Sequence, residues 1–271
     1  MTNEVFARTW GERAGPVPAG EYWPTVIGRT KHVHPDLLFI AEAYWDMEWT
    51  LQRQGFDLCY DKRLYDRLAH ESAESVRGHL LADAAYQERL IRFIENHDEP
   101  RAASTFGPTH ARVAAVAMST LRGARLYHDG QLEGRRTHIP VFLGRGPDEP
   151  ADSDLRAFYA RLLRAVADAG LRESDWYLCD CTGWPDNDAY RRLVAWCWSS
   201  AGARHLVVVN LSDVPATARV RLPWGDLAGR SWTLAECLDE RHYERAGDEL
   251  AAEGLYVALD AWAFHFLALA A

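Results

Sequence analysis

Residues Leu37 to Trp49 read LLFIAEAYWDMEW. Five uncharged, mostly apolar residues run into one glutamate, Glu42, and then into an aromatic and acidic cluster. A short continuous apolar run is the pattern of a strand buried on both faces, as in a parallel sheet covered by helices. A carboxylate at the end of such a strand is costly unless it is paired or used. Glu42 is therefore the first candidate for chemistry, and the flanking sequence decides what partners it has.

The flanks alternate in period. Residues 21–34 carry a helical pattern that stops before Pro35, and 47–54 carry another that Gly55 closes. Residues 56–60 form a second strand, 72–88 a helix, and 91–94 a third strand. A helix follows over 109–121 with Thr109 as its expected cap, then a fourth strand in GARLYHDG (123–130). A long amphipathic helix over 153–169, with Ser153 as its cap, completes the series. Strands alternating with helices at this spacing predict an α/β fold built on a parallel sheet, whose chemistry sits at the carboxyl ends of its strands. Glu42 and the ENHD segment (95–98) both lie at such ends.

From about Trp176 the pattern changes to strands alone, including WYLCDCTGW, LVAWCWSSA, HLVVVNLSD, ATARVRLP, SWTLAECLD and GLYVALDAWAFHFLALA. Gly, Pro, Asn and Asp fill the gaps, as in an antiparallel β-sandwich. The expected division is residues 1–172 and 173–271, with the linker near 170–175.

Composition narrows the function classes. A net charge of −9 opposes a general nucleic-acid binder, which needs basic groups to replace phosphate counterions. The five cysteines form no disulfide ladder, and Cys179 and Cys181 lack zinc-knuckle spacing, so buried thiols are expected. Without a basic-then-apolar leader or a membrane-length apolar run, the expected location is the cytoplasm. The eleven tryptophans read first as core filler and second as platforms for sugar rings.

Glu42 faced by Asp98 supplies the paired carboxylates of glycoside hydrolysis, one to donate a proton and others to steady or trap the oxocarbenium ion. Apolar surroundings would favour the acid form of Glu42. Alternatives remain: a strand-end ion pair with a neighbouring Arg or Lys for Glu42, and a helix-capping polar loop for ENHDEPR. A third is a metal site from His97, Asp98, His128 and Asp129, although these have no recognised ligand spacing. No G-x-S-x-G elbow supports a serine nucleophile.

FIAEAYWD resembles the segment of the α-amylase family (glycoside hydrolase family thirteen) that carries the acid/base glutamate at the end of the fifth barrel strand. FIENHDEPR is similar to the seventh-strand segment, and LRGARLYHDGQLEGRR to the eighth-strand region. The resemblance implies a partial (β/α)8 barrel, about its second half, followed by the family's β-sandwich domain. It makes Glu42 the proton donor and Asp98 the carboxylate that stabilises the distorted sugar. His97 becomes a hydroxyl partner, with Tyr44, Trp45, Asn96 and Arg101 lining or bracing the cleft. The implied substrate is an α-glucan or maltooligosaccharide, cleaved or transferred with retention; no cofactor or metal is implied.

The resemblance also has gaps. The family's nucleophile lies in a G-x-R-x-D pattern that this sequence lacks, and its D-x-x-x-N-H segment is missing as well. The opening MTNEVFARTWGER looks like the loop after the fourth strand, with Met1 an internal position in relatives. A truncated chain is therefore expected, inactive alone, with strand edges that an N-terminal half-barrel or self-association would cover. Two other readings stay open. One is a non-catalytic carbohydrate-binding or assembly protein; the other is a metal-dependent hydrolase.

Overall fold

Four short strands, β1 (Ile40–Ala41), β2 (Leu58–Tyr60), β3 (Leu90–Arg92) and β4 (Ala124–Arg125), pair in parallel in that order. The computed structural model describes residues 2–271; Met1, and the expectation attached to it, lies outside them. Parallel neighbours need crossover connections. Helices α1 (Asn3–Trp10) and α2 (Tyr22–Val33) precede β1, and α3 (Glu48–Arg53) links it to β2. Next come α4 (Lys62–His70), α5 (Ala73–Leu80) and α6 (Ala84–Glu88), then α7 (Ala102–Thr105) and α8 (Gly107–Thr120) before β4, and α9 (Ser153–Asp168) after it.

Several expected boundaries move for identifiable reasons. Residues 72–88 form two helices, because Asp83 ends the stretch after α5 and accepts from the Ala85 N–H at 2.8 Å to start α6. Helix α4 escapes the periodicity reading; Asp61 caps it by accepting from the Leu64 N–H at 3.1 Å. Helix α8 starts at Gly107 with Pro108 in its first turn, where a missing N–H does no harm, so Thr109 is not its cap. Asp152, not Ser153, caps α9 through the Leu155 N–H at 2.9 Å.

The larger correction concerns β1. The run expected as this strand, 37–41, is not buried on both faces: Leu38, ahead of β1, is 64% exposed and Ile40 51%. No strand lies outside β1 among the described residues, so the side chains that another strand would cover meet solvent. Ala41 and Ala43 turn inward, against Ile27, Met47, Leu51 and Phe56, and Phe39 packs half-buried on the same cluster.

The second half holds two antiparallel sheets. Its strands are β5 (Asp175–Cys179), β6 (Cys181–Thr182), β7 (Leu193–Ser199), β8 (Arg204–Asn210) and β9 (Ala216–Val220), followed by β10 (Ser231–Glu236), β11 (His242–Ala246), β12 (Leu255–Leu259) and β13 (Phe264–Ala270). The short helix α10 (Gly247–Ala252) lies between β11 and β12. The larger sheet runs β11-β10-β13-β8-β7-β5 and the smaller β12-β9-β6. Two expected single strands therefore divide, each half joining a different sheet. Cys179 is buried and Cys181 half-buried on either side of one such crossing.

Alternation along β7 explains its unbroken apolar run. Leu193, Ala195 and Cys197, with Val208 beside them on β8, face the smaller sheet, where Val220 and Val257 complete one core. Val194, Trp196 and Trp198 face the other way, onto Leu64, Val76, Val116 and Leu162 from the helices. Both indoles donate to the Thr120 carbonyl at the end of α8, at 3.2 and 2.7 Å. They satisfy an acceptor that the helix itself leaves free.

Candidate active site

Glu42 is the first residue after β1, and the chain leaving β3 runs through buried Phe93 and Ile94 into Glu95–Asp98. Parallel pairing through β2 brings both segments to one rim of the sheet. There a Glu42 oxygen, a His97 ring nitrogen and an Asp98 oxygen all lie within 4.8 Å of one another. His97 Nε2 is 3.5 Å from Glu42 Oε1 and 3.4 Å from Asp98 Oδ1. The Tyr44 hydroxyl stands 3.3 Å from Glu42 Oε1 and 3.4 Å from Asp98 Oδ2. A phenol has one proton to give, so the two carboxylates share it.

Partial burial, and next the Glu42 charge, push the Tyr44 pKa up; the Asn96 amide opposes the shift, while Asp98 and Glu99 add to it. Tyr44 therefore stays a neutral donor across the working pH range. The Glu42 side chain itself is 40% exposed, so the apolar enclosure expected for it is absent. Its close partner is His97, not the Arg or Lys of the ion-pair alternative.

Trp45 and Asp46 follow at φ of 59° and 61°, consecutive left-handed residues, which is uncommon outside glycine. An ion pair from Arg63 holds the Asp46 carboxylate and lowers its pKa. The turn leaves Trp45 70% exposed, its ring 6.1 Å from that of Tyr44. Trp23, Ile40, Glu42, Tyr44, Trp45 and Met47 are among the residues lining an adjoining cavity of about 230 Å3.

Asn96 and Arg101 lie beneath this surface and brace it; burial keeps both from touching a substrate directly. Asn96 Oδ1 accepts from the N–H groups of Asp98 and Glu99 at 2.9 and 2.8 Å, fixing the turn that presents Asp98. Arg101 Nη1 donates to Glu95 Oε1 and to the Asp129 carbonyl, each at 2.6 Å. The other Glu95 oxygen accepts from the Ala102 N–H at 2.7 Å. His128 Nδ1 also faces Glu95 Oε1, at 3.1 Å, so the quartet of His97, Asp98, His128 and Asp129 is not assembled as a metal site. The spacing of Glu42, His97 and Asp98 is within the reach of a cation as well as of a sugar hydroxyl.

Sequence reading gave no role to Glu95, which sits undistinguished in a polar run, or to a second network under β2 and β3. There the Arg92 guanidinium pairs with Asp61 and Gln87, and His79 Nε2 lies 3.0 Å from Asp61 Oδ2. Burial alone would raise the Asp61 pKa, but Arg92 and then His79 outweigh it and bring the group to about 2. The signal was present: Arg92 is a charge inside an apolar strand, and such a charge needs a partner.

No family model matches the chain. The α-amylase MalA of Haloarcula japonica is 30% identical over 225 residues, covering 79% of this chain and 32% of that protein. The chain thus spans about a third of the length of this curated relative. Among solved structures, the maltogenic α-amylase AmyB of Thermotoga neapolitana superposes with a TM-score of 0.74 at 16% identity, over 98% of this chain and 65% of that one. The debranching enzyme of Nostoc punctiforme gives 0.67 at 16% identity, over 93% and 54%. At such identities the structures speak for fold: a partial α/β barrel followed by a β-rich domain. The resemblance to the C-terminal part of α-amylase-family enzymes therefore stands in sequence and in fold.

Proposed function

We propose that this chain carries the acid side of a retaining α-glycosidase site acting on α-glucans or maltooligosaccharides. Residues 1–172 serve as the partial barrel and 173–271 as the sandwich domain. The convergence of Glu42, His97 and Asp98 within 4.8 Å carries the reading. Glu42 gives its proton to the glycosidic oxygen and later takes one from water. Asp98 accepts hydroxyls of the distorted ring, His97 donates to a neighbouring hydroxyl, and Tyr44 holds the two carboxylates in register. Solvent access to Glu42 suits the second role, because the incoming water must reach it. Asn96 and Arg101 support this surface from below, and Trp45 offers its exposed ring to a sugar.

A retaining mechanism also needs a nucleophile, and the G-x-R-x-D aspartate is not in this sequence. Loss of one catalytic group from a concerted set has cost on the order of 10⁶ in rate. The chain by itself is accordingly inactive, and the open β1 edge is where an N-terminal half-barrel, or a second copy, would sit. The absence of paired cysteines among the described residues fits a reducing compartment, and we place the protein in the cytoplasm. No helix among the described residues is long and apolar enough to cross a membrane.

Azide can stand in for the missing aspartate. With α-maltosyl fluoride, azide attacks C1 as the C1–F bond breaks, giving β-maltosyl azide and fluoride. The expected result is β-maltosyl azide formed above the uncatalysed rate, abolished by Asp98→Asn and indifferent to EDTA. Maltoheptaose binding without azide turnover, unchanged in Glu42→Gln, would support a non-catalytic carbohydrate-binding protein instead. Loss of turnover with EDTA would support the metal-dependent reading.

A further inference from the structure

A second aromatic surface lies in the β-rich half and shares no residue with the cluster around Glu42. The loop after β6 walls an open cleft of about 910 Å3 with Thr182, Trp184, Asp186, Asp188, Tyr190 and Arg191 among its lining residues. Trp184 is 43% exposed, and its ring lies 6.1 Å from that of Tyr256 on β12, tilted by 36°. Tyr256 is itself 44% exposed and stacks beneath the Arg219 guanidinium, 5.6 Å from the ring centre. Single exposed aromatics need no explanation, but two brought side by side from distant segments form a continuous apolar shelf.

The shelf is rigid and rimmed with unused acceptors. Gly183 cannot carry a side chain, since a Cβ would come within 2.2 Å of the Asn187 carbonyl. Asn187 accepts from the Ala189 N–H at 2.9 Å and donates to Thr217 Oγ1 at 3.3 Å, tying the loop to β9. The cation on the wall, Arg191, is engaged by Glu74 at 3.0 Å. Among the described residues, the carboxylates of Asp186 and Asp188 enter no ion pair or hydrogen bond, and both are exposed.

Flat apolar rings flanked by free carboxylates match the two sides of a pyranose, whose C–H face stacks while its equatorial hydroxyls donate. We propose that Trp184 and Tyr256 form a non-catalytic binding site for an α-glucan chain, with Asp186 and Asp188 accepting its hydroxyls. The ring tilt of 36° suits adjacent sugars in a chain that curves. The choice of α-glucan rests on the function proposed above; the existence of the site does not.

The test is a maltoheptaose titration followed through the Trp184 indole N–H resonance, assigned by its loss in Trp184→Ala. The resonance should move saturably in the wild type and equally in Glu42→Gln. Tyr256→Ser, a change at an exposed position, should weaken the binding about tenfold or more. An unmoved Trp184 resonance overturns the site, and it does so without touching azide rescue at Asp98. A resonance that moves in a chain with no azide rescue keeps the site and removes the catalytic reading. An equal response to cellohexaose overturns the α-glucan assignment.

Discussion

Arg101 Nη1 lies 2.6 Å from Glu95 Oε1, with only 4% and 1% of the two side chains exposed. This buried pair joins the segment after β3 to the loop after β4, through the Asp129 and Thr137 carbonyls. Breaking such a pair from one side leaves a charge uncompensated in the interior. Glu95→Ala should lower stability by about 3–5 kcal/mol, measured by urea unfolding. If Arg101 chiefly contacted substrate, the variant would unfold like the wild type.

Tyr44→Phe removes the shared proton between Glu42 and Asp98 and little packing, because the ring stays. Azide rescue should fall about tenfold, the effect of one hydrogen bond to a charged group. The midpoint of thermal unfolding should stay close to that of the wild type. An unchanged rescue rate would mean that the phenol does not organise the carboxylates.

Asp61 gives a pH signature. Its folded pKa of about 2 lies below the ordinary value, so its ion pair stabilises fully above the unfolded Asp pKa, near ~4. That contribution disappears as pH falls through about 2. Asp61→Asn should therefore be much less stable than wild type at neutral pH, and the gap should close on acidification across this window. A gap constant with pH would exclude the linkage.

The open edge predicts association. Leu38 and Ile40 leave a short apolar strand edge in water, a template for pairing with another chain. Size-exclusion at rising concentration should show growing assemblies, and Leu38→Lys with Ile40→Lys should suppress them. A wild type that elutes as a monomer at every concentration would count against an uncovered edge.

The polar groups at strand ends were legible because ionisable residues after apolar runs stand out, which marked Glu42, His97 and Asp98. The parallel sheet followed from alternation of period, and the antiparallel half from period two. The exposure of Leu37, Leu38 and Ile40 was hidden, since an apolar run looks the same whether or not a neighbour covers it. Asp61 was hidden because its partners Arg92 and His79 are distant in sequence, and Glu95 because it sits in a polar run; the charge of Arg92 stood out in its strand, but only the fold shows what neutralises it. The cap of α8 moved three residues, from Thr109 to Phe106, with Pro108 in the first turn, and that of α9 moved one, from Ser153 to Asp152.

The indoles of Trp196 and Trp198, bonded to the last turn of α8, give the two halves of the molecule a common fate. Heat or urea should melt the helical half and the sheets in one step, because neither can let go while the other holds. Cutting the chain near residue 172 would strip each fragment of a wall it relies on. A fragment boundary drawn on strand and helix labels alone would separate residues that share one core, among them Val116, Leu162, Val194 and Trp196.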